Sequence, residues 1–211
     1  MADNIGNKAA HDYHLDIAPV QEGFYVKGAA HCDWGMKNRL SRLFDPKSGN
    51  TVMLAFDHGY IMGATAGLER MDVTIAPLCR YADVLMATRG AIRSCIPPTV
   101  HNAICLRATH DASVLIDDMS TGNGVGADME AAIRMNASAV AIQCFIGGAG
   151  EARSLETLCR AVDAGERYGI PVLGVTAVGD TLASAIDSAY RSASHVSFQD
   201  MHFRTDIGRT F

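Results

Sequence analysis

The strongest constraint on this chain is a recurring unit: a short apolar run, a charged or glycine-bearing end, then an amphipathic stretch. Its clearest copy is Thr51-Val52-Met53-Leu54-Ala55-Phe56-Asp57-His58-Gly59-Tyr60. Residues 52–56 are apolar without a break. Such a run suits a strand covered on both faces, as in a parallel sheet. It stops at Asp57 and His58. Charged groups placed just after a buried strand sit at the carboxyl edge of a sheet, where α/β proteins keep their chemistry.

Four further runs repeat the unit, at residues 83–90, 103–108, 137–146 and 172–178. The stretches between them predict helices over 66–80, 127–136 and 154–168. Gly169-Ile170-Pro171 closes the last of these. An earlier helix is expected over 33–44, with Met36, Leu40 and Leu43 on one face, followed by a turn at Asp45–Asn50. Residues 122–126 read as a loop, since their spacing does not fit a dinucleotide fingerprint. A helix over 181–194 and an edge strand near 196–203 end the chain. Residues 1–22 are polar and unpatterned and read as a mobile arm. Strands alternating with helices imply parallel βαβ units with right-handed crossovers. The expected fold is therefore α/β, with five parallel strands in an open sheet or an incomplete barrel.

Composition narrows the function. The net charge of −5 gives no reason to expect nucleic acid or an anionic membrane as partner. No apolar stretch approaches the roughly 20 residues that span a bilayer. The first 30 residues lack a basic-then-apolar signal pattern, so a cytoplasmic location is expected. Cys32, Cys79, Cys95, Cys105, Cys144 and Cys159 show no C-x-x-C spacing. They read as reduced, structural thiols, with a nucleophilic cysteine as the alternative. His11 and His14 lie in the polar arm, and His101 and His110 flank a strand without a matching cluster, so no metal site is expected.

Several segments agree, in order, with a known family. Asp33-Trp34-Gly35-Met36, Arg39-Leu40-Ser41-Arg42, residues 52–60, Gly67-Leu68-Glu69-Arg70, Ile75-Ala76-Pro77-Leu78 and Ala82-Asp83-Val84-Leu85-Met86 resemble the class I aldolase superfamily, in its autoinducer-2 aldolase/thiolase branch. The resemblance runs from about residue 23 to 176. It implies a TIM-type (β/α) barrel, here incomplete at about five strands. It also implies a phosphorylated hydroxydiketone substrate, no bound cofactor, and coenzyme A as a co-substrate that accepts an acetyl group. From about Val172 the chain resembles the carboxyl-terminal end of phosphoribosylamine–glycine ligase, through Val172-Leu173-Gly174-Val175-Thr176 and Met201-His202-Phe203-Arg204-Thr205-Asp206 among others. The expected organisation is thus an arm over 1–22, a partial barrel over 23–178 and a tail over 179–211. A natural fusion, a truncation and a misassembled gene all fit this pattern.

Asp57 and His58 are the expected catalytic residues. A carboxylate orients a substrate hydroxyl or an attacking amine, and a histidine relays protons near neutral pH. Arg89 and Arg107 also end strands. Each reads either as a bidentate phosphate ligand or as a surface ion-pair arginine. Gln143 sits on an apolar strand and is expected to face a polar pocket. The family forms its Schiff base on a lysine late in the barrel. The lysines here are Lys8, Lys27, Lys37 and Lys47, all before the first strand. Schiff-base catalysis needs a site amine with a lowered pKa, and arginine stays protonated. Two functions are expected to compete: an inactive copy of the aldolase/thiolase, and a non-catalytic α/β module that forms homo-oligomers through exposed strand edges. A purine-pathway ligase fragment is a third reading, resting on the tail.

Overall fold

The computed structural model describes residues 24–176, apart from Ala64, Val114, Asp117, Asp118 and Gly147. The expected arm, tail helix and tail strand lie outside the described residues.

Helix α1 (Trp34–Leu43) opens the described chain, capped by the Asp33 carboxylate, which accepts from the Met36 N–H at 2.8 Å. Strand β1 (Met53–Ala55) follows the turn. The strands β2 (Val84–Ala87), β3 (Ala103–Arg107), β6 (Ala139–Gln143) and β7 (Val172–Val175) join it in one sheet of order β1-β2-β3-β6-β7. Every pairing is parallel. The sheet curls into a half-barrel, the α/β architecture that the alternating pattern implies. Two-residue strands β4 (Thr109–His110) and β5 (Gly124–Val125) form a separate antiparallel pair beyond the end of β3. Strand β5 thus takes up part of the 122–126 stretch whose spacing predicts a loop.

The helices differ more from expectation than the strands. The single helix expected over 66–80 is divided into α3 (Met71–Thr74) and a 3-10 turn over Ala76–Tyr81. Pro77 lies in the first turn of the latter; it has no N–H to continue an α-helical ladder and its ring crowds the preceding turn. The run over 83–90 is strand only as far as Ala87. Thr88 then caps α4 (Arg89–Cys95), its hydroxyl accepting from the Ala91 N–H at 3.3 Å. A four-residue helix α2 (Gly59–Met62) follows β1 directly. Helices α5 (Met129–Arg134) and α6 (Glu151–Tyr168) fall within about three residues of their expected spans, a usual boundary error. Gly169 ends α6 in the left-handed region at φ 64°, where a side chain is disfavoured.

Side chains alternate across the sheet with the period of two that a strand imposes. Leu85, Ala87, Ile104, Leu106, Val140 and Ile142 face the outer helices in one core. Val84, Met86, Ala103, Cys105, Ala139 and Ala141 face the other way. There Leu43 is buried against them, with Leu40 and Phe44 alongside, so α1 covers part of the face that would line a closed barrel. The Arg39 guanidinium donates to the Gly169 carbonyl at 3.0 Å, tying α1 to the far end of α6. Each fully buried leucine of the core contributes about 1.5–3 kcal/mol.

Candidate functional site

Strands β1 and β3 run parallel, so the residues following them emerge at the same edge of the sheet. Asp57 follows β1 and is buried; Arg107 is the last residue of β3 and its side chain is 4% exposed. Their charges meet at 2.8 Å between Nη1 and Oδ2. The chain continues from Arg107 into β4, and Asp111 comes back against the same guanidinium at 2.6 Å, its side chain fully buried. The Tyr60 hydroxyl accepts from Arg107 Nη2 at 2.7 Å and donates to Asp111 Oδ2 at 2.6 Å. The guanidinium carbon lies 5.4 Å from the Tyr60 ring centre, within cation–π range.

The network extends to Thr109, Asn123 and the backbone of Gln143. Arg107 Nε donates to the Thr109 hydroxyl at 3.1 Å, which in turn accepts from the Gln143 N–H at 3.0 Å. The Asn123 amide donates to Asp111 Oδ1 at 2.7 Å and to the Gln143 carbonyl at 3.2 Å. Residues from the ends of β1, β3, β4 and β6 are thereby held in one constellation. Asp57 and Tyr60 also line a cavity of about 260 Å3 with Phe56, Leu68, Thr88 and Ala91. A larger open groove of about 780 Å3 lies at the opposite edge of the sheet, where Asp83 precedes β2 and Ala103 begins β3. It shares no residue with the carboxylate–guanidinium constellation, and size alone does not make it the site.

Of the residues singled out in the sequence, the structure brings Asp57 and Arg107 into direct contact. Gln143 joins through its main chain, and its side chain is half-buried. His58 stands at the start of α2, half-buried, where its carbonyl accepts from Ile61 and Met62. Arg89 is exposed at the first residue of α4. Neither His58 nor Arg89 enters the constellation. Tyr60, Thr109, Asp111 and Asn123 do enter it without having been singled out. Thr109 and Asp111 follow Arg107 at alternate positions, a period-two pattern that was available as a signal. Among the described residues no group of three or more His, Cys, Asp or Glu side chains is placed to hold a metal ion. No helix among them is long and apolar enough to cross a membrane.

Burial, then the hydrogen bond to Asp111, pushes the Tyr60 phenol well above its ordinary pKa. The folded protein therefore keeps a proton that the unfolded chain releases above pH about 10. The sign follows: this contribution to stability is complete below that pH and is lost as pH rises beyond it. We expect Tyr60→Phe to remove that part of the alkaline loss. Urea titrations of both proteins between about pH 9 and 11 measure it; parallel loss of stability would show that the phenol is not held neutral.

Three of the six cysteines are core residues. Cys79, Cys105 and Cys144 are buried, and Cys159 is exposed. Burial pushes the Cys105 thiol up to about 12, so it is protonated and unreactive. A thiol-reactive disulfide reagent should label Cys159 rapidly and leave Cys105 unlabelled until denaturant is added. Early labelling of Cys105 in the native protein would contradict this burial.

Comparison with known proteins bears on the same residues. The chain is 45% identical over 183 residues to the 3-hydroxy-5-phosphonooxypentane-2,4-dione thiolase of Salmonella typhimurium strain LT2, covering 87% of this chain and 62% of that protein. Over most of its own length this chain is similar to that aldolase/thiolase. A protein of Pasteurella multocida described as an uncharacterized aldolase matches at the same identity and coverage. The chain spans about three-fifths of the length of these curated relatives. Its fold is that of solved class I aldolases. A Schiff-base-forming fructose-1,6-bisphosphate aldolase superposes with a TM-score of 0.55 at 21% identity, covering 76% of this chain and 67% of that one. An archaeal fructose 1,6-bisphosphate aldolase superposes at 0.56 and 20% identity, covering 74% and 66%.

A second family also matches: phosphoribosylglycinamide synthetase, C domain, over residues 125–210. The tail segments pointed to that ligase from about Val172; the match begins well before, within β5. It overlaps the aldolase match, because the residues outside 125–210 are too few to hold 183 aligned positions. In this chain, residues 125–176 supply α5, β6, α6 and β7 of the half-barrel.

Proposed function

We propose that this chain is an aldolase/thiolase-type protein for phosphorylated hydroxydiketones, the breakdown of phosphorylated autoinducer-2, with coenzyme A as acetyl acceptor. The observation that carries the reading is Asp57: a buried carboxylate fixed at the end of β1 and opening on a cavity. Such a group orients a hydroxyl or carbonyl ligand at the edge where α/β barrels do their chemistry. The 45% identity to named thiolases supplies the substrate class. Within these 211 residues no lysine follows Lys47, so the described half of the barrel holds the ligand but no strand of it carries an amine with which to form a Schiff base. The chain is on this reading inert by itself. On this reading His58, Arg89 and Gln143 are further ligand contacts, and the protein is a cytoplasmic homo-oligomer.

Incubation with dihydroxyacetone phosphate and borohydride tests both parts. No covalent adduct is expected by mass spectrometry, while calorimetry shows binding that Asp57→Ala weakens about tenfold. A trapped adduct on a site residue would overturn the inactivity. Absence of binding would overturn the substrate class.

Two observations keep other readings in view. Among the described residues β1 and β7 each pair on one side only, which favours association through strand edges in a non-catalytic module. The synthetase match favours a ligase fragment. The packing of residues 125–176 into the aldolase half-barrel supports the first reading over that last one.

A further inference from the structure

A guanidinium carries five N–H donors in a rigid fork, and a phosphate clamp uses two of them in parallel. Arg107 spends four inside the protein. Nε goes to Thr109, Nη1 to Asp57, and Nη2 to both Tyr60 and Asp111. One N–H remains, on a side chain that is 4% exposed. A phosphate could take two donors from Arg107 only by displacing one of the four groups it already holds, two of them buried carboxylates. The Asp57 carboxylate, by contrast, shows one oxygen bound to Arg107 and belongs to the cavity wall.

We infer that Arg107 is a positioning residue that acts on the ligand through Asp57, and that Asp111, Tyr60 and Asn123 lock it in that task. Each link has a separate hold. Asp111 receives Arg107 and Tyr60 on one oxygen and Asn123 on the other. Asn123 is fully buried and bonds to the Gln143 carbonyl, so it references Asp111 to the end of β6. The ring of contacts therefore fixes the angle of the Asp57 carboxylate relative to three strands. The ligand's phosphate, in this arrangement, is seated by groups other than Arg107. The nature of the ligand rests on the function proposed above; the positioning is a property of the free protein.

The test uses the full chain and two variants, Arg107→Lys and Asn123→Ala. Lysine keeps the charge and loses the fork. Asn123→Ala touches neither Arg107 nor Asp57 and guards against an Arg107 variant that does not fold. With dihydroxyacetone phosphate and unphosphorylated dihydroxyacetone as probes, Arg107→Lys should weaken both by the same factor, about tenfold. A loss confined to the phosphorylated probe would make Arg107 a phosphate ligand and overturn the inference. A ligand-free measurement runs beside it. The 13C carboxyl resonance of Asp57 should shift and broaden in Arg107→Lys, and to a lesser degree in Asn123→Ala. If it is unchanged in both, the inference fails. If the wild type binds neither probe, the substrate reading fails, and the Asp57 resonance still decides the positioning.

Discussion

Arg107→Met should cost about 3–5 kcal/mol of folding stability, a large share of what a domain of this size has. The reason is the asymmetry of buried charge. Asp57 and Asp111 are both removed from water, and the guanidinium is the cation that sits between them. Methionine fills a similar volume but leaves two carboxylates facing each other without a counter-charge, and leaves the Tyr60 and Thr109 hydroxyls short of a donor. The exposed pair Glu156–Arg160, at 2.6 Å, serves as the control, because water and salt screen it. Arg160→Ala should change stability by only about 0.3–0.5 kcal/mol. Urea unfolding of the two variants measures the contrast. An Arg107→Met protein within about 1 kcal/mol of wild type would mean that the two aspartates are hydrated or protonated rather than paired.

Gly150→Val should be nearly as damaging, at about 3 kcal/mol, for a reason of space rather than charge. Gly150 caps α6, and a Cβ built on it would run into the Ser120 carbonyl. The Gly150 N–H also donates to the Ser120 hydroxyl at 2.7 Å. The loops after β4 and after β6 are thus pressed together at a point where only a hydrogen fits. The obstacle is backbone, so it cannot rotate away as a side chain would. Displacing Ser120 pulls on Asn123, whose N–H reaches the Ser120 carbonyl at 3.4 Å, and through it on Asp111. The loss of stability should therefore come with a lower Tyr60 pKa, since Asp111 is one of the groups that raise it. A valine variant of wild-type stability would show that the two loops separate easily.

The strands were legible because burial on both faces leaves unbroken apolar runs, and all five runs became parallel strands in one sheet. The position of Asp57 was legible for the same reason: an apolar run that ends in a carboxylate puts that carboxylate at the carboxyl edge of the sheet. Helices were less so. Residues 66–80 have helix-like spacing, but Pro77 removes an N–H and the segment breaks there. Thr88 is a good cap, yet it abuts a strand so closely that Arg89 reads as strand end when it begins a helix. The partners of Arg107 were hidden by distance along the chain. Tyr60 and Asp57 come from 47 and 50 residues away, and pattern within a window carries no information about such pairs.

The position of α1 has a consequence for the order in which the chain acquires its structure. Each strand of the sheet pairs with the next strand of the main series, so the half-barrel can be added unit by unit as residues emerge. Helix α1 is made first but lies against Ala139 and Ala141 of β6, and its Arg39 reaches a carbonyl 130 residues later. At ribosomal speeds that interval lasts on the order of ten seconds. Throughout it, Leu40 and Leu43 have no completed surface to cover, and the amphipathic face of the first helix is a sticky handle on a nascent chain. Chaperone dependence during synthesis should therefore map to this helix, and should relax when Leu40 and Leu43 are made polar even though the finished protein is weakened.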